Sequence, residues 1–188
     1  MTPHGHPEIA SDWVVRFAAA VPSDDAVLDL ACGTGRHCRF FLERGHPVTG
    51  VDRYSAGVAD LLGREGFTLI EADLESGGDW PLGTREFAAV VVTNYLFRPI
   101  LPHIVGAVSE GGVLIYETFA EGNARFGRPR NPDFLLRPGE LLSAVDGALA
   151  VIAYEHGEVA RPAPALVQRI CACRGSGYSA ARRLDGGA

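Results

Sequence analysis

The 188-residue sequence predicts an α/β fold, a mostly parallel sheet covered on both faces and closed by a C-terminal antiparallel hairpin. Three observations carry that prediction. Short apolar runs rich in Val, Leu and Ile alternate with helix-spaced apolar residues from about residue 27 to residue 116. A small-residue turn, Ala31-Cys32-Gly33-Thr34-Gly35, stands between the first such run and the first helical pattern. The last two strand-like runs are joined by a Gly/Pro-containing loop, which suits a hairpin better than a crossover helix.

Taken in order, residues 9–20 show an amphipathic helical pattern bearing Trp13 and Arg16, and residues 27–30 read as a buried first strand. Cys38, Phe41, Leu42 and Gly45 then mark one helix face, which Gly45 and Pro47 terminate. Residues 48–52 form the second strand. Ser55 is expected to cap a helix whose inner face carries Val58, Leu61 and Leu62. Residues 67–71 form the third strand, and 76–84 lead without a helix to the fourth at 88–93. Leu101, Ile104, Val105 and Val108 repeat at helical spacing, and Gly111-Gly112 should turn the chain into a fifth strand at 113–116. Residues 151–154 and 166–173 supply the hairpin.

Composition bounds the rest. With 47% hydrophobic and 21% charged residues the chain is an ordinary globular one. A chain of this length buries roughly 70% of its unfolded surface, so residues 1–188 are expected to form a single domain with loose ends at 1–7 and 174–188. A net charge of −6 argues against duplex nucleic acid as a partner. No apolar run reaches about 18 residues and no export pattern opens the chain, so no membrane partner is expected. Cys32, Cys38, Cys171 and Cys173 form no CxxC pair and read as buried reduced thiols of a cytoplasmic protein. His4 and His6 belong to a polar terminal segment, and no metal site is expected.

The segment Asp29-Leu30-Ala31-Cys32-Gly33-Thr34-Gly35-Arg36-His37 carries most of the functional information. It lies at a strand-to-helix turn, where a sheet edge leaves a ligand crevice. Gly33 and Gly35 clear side chains from a tight turn that must approach a ligand closely. Asp52 ends the next strand seventeen residues past Gly35, where a carboxylate can accept hydrogen bonds from ribose hydroxyls. A nicotinamide-binding loop makes the same demands but needs a third small residue five positions after its first glycine. That position is Cys38 counted from Gly33 and Arg36 counted from Ala31, so neither register completes the dinucleotide pattern.

The stretch Val27-Leu28-Asp29-Leu30-Ala31-Cys32-Gly33-Thr34-Gly35 instead resembles motif I of the class I S-adenosylmethionine (SAM)-dependent methyltransferases, with Ala31 in the place of the first glycine. The resemblance continues in order through Asp52, Glu71-Ala72-Asp73-Leu74, Thr93-Asn94-Tyr95-Leu96 and Gly111-Gly112-Val113-Leu114-Ile115. It implies a Rossmann-like seven-stranded methyltransferase sandwich with SAM as cofactor and S-adenosylhomocysteine as product. Asp29, Ala31, Cys32, Gly33 and Gly35 would cradle the cofactor. Asp52, with Arg53 beside it, would hold the ribose. Asp73 and Leu74 would meet the adenine, and Asn94 and Tyr95 would line the methyl-donor site as catalytic candidates. Small bacterial enzymes of the tellurite-resistance and ubiquinone-biosynthesis type are the nearest resemblance, which thins toward the acceptor side.

The sulfonium already activates the methyl group, so alignment supplies most of the acceleration and no catalytic dyad is required. The strand-four loop lacks the Asn-Pro-Pro-Tyr pattern of amino-group methylation in nucleic acids, and no cysteine stands where an RNA cytosine methyltransferase places its nucleophile. A small-molecule acceptor is therefore the first expectation. RNA or protein methylation, a SAM-binding protein without catalysis, and, more remotely, an oxidoreductase are the rivals. Arg36 and His37, in the first turn of the helix, either face an anion such as the SAM carboxylate or are solvated. Residues 118–137 lack periodicity and hold Arg125, Arg128, Arg130 and Arg137 against Glu121 and Asp133. They form either a lid in which Arg125, Arg128 or Arg130 meets an anionic acceptor, or a solvated loop. Phe119, Phe126 and Phe134 favour an ordered loop. His103, Tyr116, Glu117 and His156 are further candidate bases.

Overall fold

The computed structural model describes residues 9–175. Its seven strands are β1 (Val27–Leu30), β2 (Val48–Asp52), β3 (Phe67–Glu71), β4 (Phe87–Thr93), β5 (Val108–Phe119), β6 (Ala150–Val159) and β7 (Ala165–Cys173). They form one sheet in the order β3-β2-β1-β4-β5-β7-β6. β1 to β5 pair in parallel, while β7 runs antiparallel between β5 and β6. The class expected from the sequence is the one observed.

Strand pleating sorts the core into two layers. Leu28, Leu30, Val90, Val92, Leu114 and Tyr116 face α3 (Leu101–Gly106) and α4 (Glu140–Val145). Val27, Val91, Val113, Ile115, Cys171 and Cys173 face α1 (Asp12–Phe17) and α2 (Arg36–Leu42). Trp13, Phe41, Tyr116 and Leu141 are all 1% exposed or less. Burying such side chains contributes roughly 1.5–3 kcal/mol each, which makes these layers the main source of stability.

The site is positioned by connectivity. β1 has β2 on one side and β4 on the other, so the chain order reverses there. A crevice opens beyond the C-terminal ends of strands at such a reversal. The loops after β1 and β4 flank it, and β6 ends and β7 begins at the same edge, since Val159 pairs with Ala165 and Phe119 with Val167.

Several local expectations fail for identifiable reasons. The N-terminal helix is only Asp12–Phe17, followed by a 3-10 turn at Ala18–Ala20, and Ile9 is exposed. Ser55 is no cap: Ser55–Leu61 is 3-10 with a kink at Val58, Tyr54 precedes it without a side-chain cap, and Leu62 lies exposed. Val108 belongs to β5 rather than to α3. Gly111-Gly112 lies inside that strand, where the register jumps from Phe87↔Val108 to Ala89↔Val113. A Cβ at Gly112 would stand 2.9 Å from the Phe87 carbonyl oxygen, so the glycine permits an irregular strand. α4 has no counterpart in the sequence reading. Of the expected loose ends, 1–8 and 176–188 lie outside the described residues, His4 and His6 with them. Arg174, however, is held, donating to the carbonyls of Val105 and Val108 at 2.7 and 2.6 Å.

Candidate active site

The glycine loop is built by backbone. Cys32 N donates to Val51 O at 3.0 Å and Gly35 N to Cys32 O at 2.8 Å, tying the turn to β2 and closing it on itself. Ala31, Gly33 and Gly35 all have positive φ, at 53°, 57° and 72°. Gly35 is required twice, because a Cβ there would also stand 2.6 Å from Val58 Cγ1. At Gly33 the same atom would meet nothing within 4 Å, leaving bare backbone on the open side. Two residues the sequence did not single out brace this loop. A Cβ at Gly57 would lie 2.3 Å from Gly33 O, so the 3-10 segment packs directly against the loop backbone. Arg39 donates to the Thr34 carbonyl and pairs with Asp60. No spacing rule marks either residue, since each acts across a tertiary contact.

Beneath the loop lies a buried polar layer. Asp29, two residues on from Val27, shares its face of β1 and so points toward α2, where Cys38 Sγ contacts its Oδ2 at 3.1 Å. Burial pushes the Asp29 carboxyl up to about 7, against the opposing effects of the Cys38 thiol and Arg36. Burial, reinforced by Arg36, pushes His37 down to about 3. Asp29 and His37 approach to 3.8 Å, but with His37 neutral they do not form an ion pair. His37 is neither solvated nor a cation facing an anion: its Nε2 accepts from Ser11 N at 3.2 Å. Arg36 is tied to Ile9 O at 3.2 Å and Thr93 Oγ1 at 3.3 Å, and burial lowers its pKa. Both residues thus anchor the segment leading into α1.

On the β2–β3 side, Asp52 Oδ2 accepts from Gly33 N at 2.8 Å and Oδ1 from Tyr54 N at 3.2 Å. The loop and this half-buried carboxylate are one unit. Arg53 is exposed over the Tyr54 ring. Asp73 is exposed, its Oδ1 accepting from Glu75 N at 2.9 Å, with half-buried Leu74 beside it. After β4, Asn94 adopts φ 55° and donates its N–H to Glu117 O at 2.9 Å. Tyr116 Oη donates to Tyr95 O at 2.9 Å. The Tyr95 hydroxyl is buried without a hydrogen-bond partner among the described residues. Burial, then the Glu75 and Asp73 carboxylates, raises its pKa.

On the β5–β7 side, a cleft of about 1090 Å³ opens between Ser11, Arg36, Asn94, Glu117, Phe119 and Arg128. Glu117 accepts from Ser11 Oγ at 2.7 Å and from Arg169 Nη1 at 3.2 Å. The segment after β5 is ordered by long reaches. Arg98 donates to Glu140 and to the carbonyls of Asp133 and Leu135, and buried Asn123 joins Pro129 to Leu166. Of the three arginines expected to meet an acceptor, Arg128 lines the cleft. Arg125 is exposed and paired with Glu158, and Arg130 donates to Gly127 O. Phe134 is exposed. Among the other candidate bases, Tyr116 is buried with its pKa raised by burial, His103 stacks on Trp80, and His156 is exposed.

A parallel sheet with its crevice at the reversal, an antiparallel closing pair, an aspartate that ends β2 and another just beyond β3 define the class I, Rossmann-like methyltransferase fold. Residues 27–111 match the family described as a methyltransferase domain. It is similar in structure to TehB from Haemophilus influenzae (20% identity, 89% of this chain and 63% of that one, TM-score 0.68). It also resembles a SAM-dependent methyltransferase from Mesorhizobium loti (22%, 88% and 98%, 0.66). A third relative is the 1,6-didemethyltoxoflavin-N1-methyltransferase of Burkholderia thailandensis (20%, 86% and 76%, 0.64), solved with 1,6-didemethyltoxoflavin and S-adenosylhomocysteine. The chain thus spans less than two thirds of the TehB chain. No curated protein sequence matches it.

Proposed function

We propose that this protein transfers a methyl group from SAM to a small-molecule acceptor. The observation that carries the reading is the Gly33–Asp52 unit, in which a bare backbone turn and a half-buried carboxylate face one crevice, linked by a 2.8 Å hydrogen bond. That unit fits a nucleoside with a zwitterionic tail. Asp52 retains acceptor capacity for ribose hydroxyls, Asp73 and Leu74 suit the adenine edge and face, and the unpartnered Tyr95 hydroxyl offers a further polar atom. Gly33 and Gly35 admit close approach, with Ala31, Cys32 and Asp29 shaping the loop from behind and Arg53 beside the ribose.

SAM bound there supplies a methyl group on a positively charged sulfur. The chain's own work is then positional. The loops after β1 and β4 align donor and acceptor, and Asn94, held in an unusual backbone conformation by Glu117 O, shapes the junction between the cofactor side and the cleft. The cleft receives the acceptor, and the segment before α1, anchored on His37 and Glu117, excludes water from that edge. Glu117 is half-buried beside Asn94 and is the best-placed group to take a proton from an acceptor that must lose one.

No described helix is long and apolar enough to cross a membrane, and the four cysteines are free and buried, which supports a reducing cytoplasmic setting. The decisive experiment is calorimetric titration with SAM, S-adenosylhomocysteine and NAD. The first two should bind and NAD should not. Asp52→Ala should weaken SAM roughly 10- to 150-fold, as loss of hydrogen bonds to a charged group predicts. An unchanged dissociation constant would remove Asp52 from the site, and preferential NAD binding would overturn the reading.

A further inference from the structure

The cleft beside the glycine loop is large for a small-molecule site, at about 1090 Å³ against roughly 300–1,000 Å³ for most. Its chemistry is uneven. Phe119, Phe126, Val159 and Pro164 give it apolar walls, and Asn94 and Glu117 stand where β4 and β5 end. Four arginines also line it, in a chain whose net charge is −6. Two are engaged by the protein: Arg36 with Ile9 O and Thr93, and Arg169 forked between Glu117 and Glu155. Arg128 and Arg161 are different. Both are exposed, and neither makes a hydrogen bond or ion pair to any described residue. Asp12, at the start of α1, is a lining carboxylate likewise without a side-chain partner among the described residues, and it offsets part of this positive charge.

These two arginines come from segments 33 residues apart in the chain, and a buried polar link holds the segments together. Asn123, 1% exposed, donates through Nδ2 to Pro129 O at 3.3 Å and accepts through Oδ1 from Leu166 N at 3.0 Å. One end of that link follows Arg128 directly, and the other opens β7 just past the turn that carries Arg161. Arg98 secures the far end of the same segment through the carbonyls of Asp133 and Leu135. The backbone carrying Arg128 is therefore braced, and its unpaired guanidinium is delivered to the cleft beside the apolar wall of Phe119 and Phe126.

We infer that Arg128 and Arg161 form an anion clamp at the mouth of this cleft, and that the acceptor is an organic carboxylate with an apolar, ring-sized body. The guanidinium fork suits a carboxylate because it donates two parallel hydrogen bonds. The apolar body lies on Phe119 and Phe126, and the nucleophilic end points toward Asn94 and Glu117. The inference rests on the methyl-transfer reading for its identification of the cleft as the acceptor site.

The test uses 2-naphthoate and its neutral counterpart 2-naphthamide, titrated calorimetrically into the full chain with and without saturating S-adenosylhomocysteine. Naphthoate should bind at least about tenfold tighter than the amide, the advantage of a charge-assisted pair over a neutral contact. Arg128→Gln and Arg161→Gln should each remove most of that advantage and leave the amide within about twofold. S-adenosylhomocysteine affinity and the thermal midpoint should match the parent in both variants, which shows that each has folded. Absence of naphthoate binding, equal binding of acid and amide, or a double variant that holds naphthoate like the parent overturns the clamp. Failure of S-adenosylhomocysteine to bind is a separate outcome. It overturns the methyl-transfer reading, while naphthoate binding to the protein alone still decides the clamp.

Discussion

The two sides of the ligand edge are held by different kinds of contact. Around β1 and β2, the loop from Ala31 to Gly35 is fixed by backbone conformation and by main-chain groups: positive φ at three of its five residues, Cys32 N to Val51 O, Gly33 N to the Asp52 carboxylate. Around β5 and β7, the segment from Glu121 to Arg137 is fixed by side chains reaching across the fold. Arg98 spans to Asp133, Leu135 and Glu140, Asn123 to Leu166, and Gln168 to the Arg137 carbonyl at 2.6 Å. A loop made of backbone conformation tolerates almost no side-chain change, because the error lies in the turn itself. A loop pinned by side chains loses one pin at a time. The first arrangement holds one fixed backbone shape, and the second leaves a segment whose shape its side-chain contacts set.

Changes at the two sides should therefore break the protein differently. The largest effect is expected from Gly35→Val, which forces a branched residue to φ 72° and into Val58. The left-handed conformation costs roughly 1–2 kcal/mol and overpacking typically 1–3 kcal/mol, so denaturant unfolding should show a loss of about 2–5 kcal/mol. S-adenosylhomocysteine binding should vanish from calorimetry, whereas Asp73→Asn, at an exposed acceptor, should retain partial affinity. Equal affinity in the two variants would take the glycine loop out of the cofactor site.

Next comes Arg98→Ala. It removes a partly exposed fork to Glu140 and two carbonyl bonds, worth about 2 kcal/mol together once water competes for the groups left behind. Stability should fall by that amount while S-adenosylhomocysteine affinity stays within about twofold. A tenfold loss of affinity would join the two sides into one cooperative unit.

The buried layer under the glycine loop gives a pH signature. Asp29, with its folded pKa at about 7 against an ordinary value near 3.8, holds a proton that the unfolded chain has released. Its stabilising contribution is complete below about pH 4 and is lost as pH rises to 7. His37, at about 3 against 6.5, works in the opposite sense: the unfolded chain takes up the proton first, so stability falls as pH drops from 6.5 toward 3. The two slopes oppose each other between about pH 4 and 6.5. In Asp29→Asn only the His37 slope remains, and thermal midpoints should drop more steeply on acidification over that window than in the parent. Parallel curves would mean that Asp29 is ionised in the folded protein.

The smallest expected effect is a gain. Ala31 sits at φ 53°, a conformation glycine adopts freely. Ala31→Gly relieves roughly 1–2 kcal/mol of left-handed strain and loses part of it to the greater freedom of the unfolded chain. A net gain of about 0.5–1 kcal/mol should appear as a thermal midpoint higher by roughly 2–3 °C. A lower midpoint would show that the alanine methyl packs against something worth more than the strain.

What could be read from the residues alone follows the range of the forces involved. Strands β1 to β4 and the first two turns of the crevice were legible because apolar alternation, glycine at positive φ and an aspartate at a strand end act within a few residues. The hairpin of β6 and β7 was legible for the same reason. The 3-10 geometry after β2 was not, because packing of Gly57 against Gly33 O, and not the local run Ser55–Leu61, decides it. Neither was the neutral state of His37, which is set by burial under Ser11, nor the choice among the three arginines of the β5–β7 side. Asn123 and Arg98 brace that segment, and the chain folds so that Arg128 alone of the three lines the cleft. Short-range backbone preferences specified the glycine-loop side in the sequence; the β5–β7 side exists only once groups 31 to 43 residues apart have met.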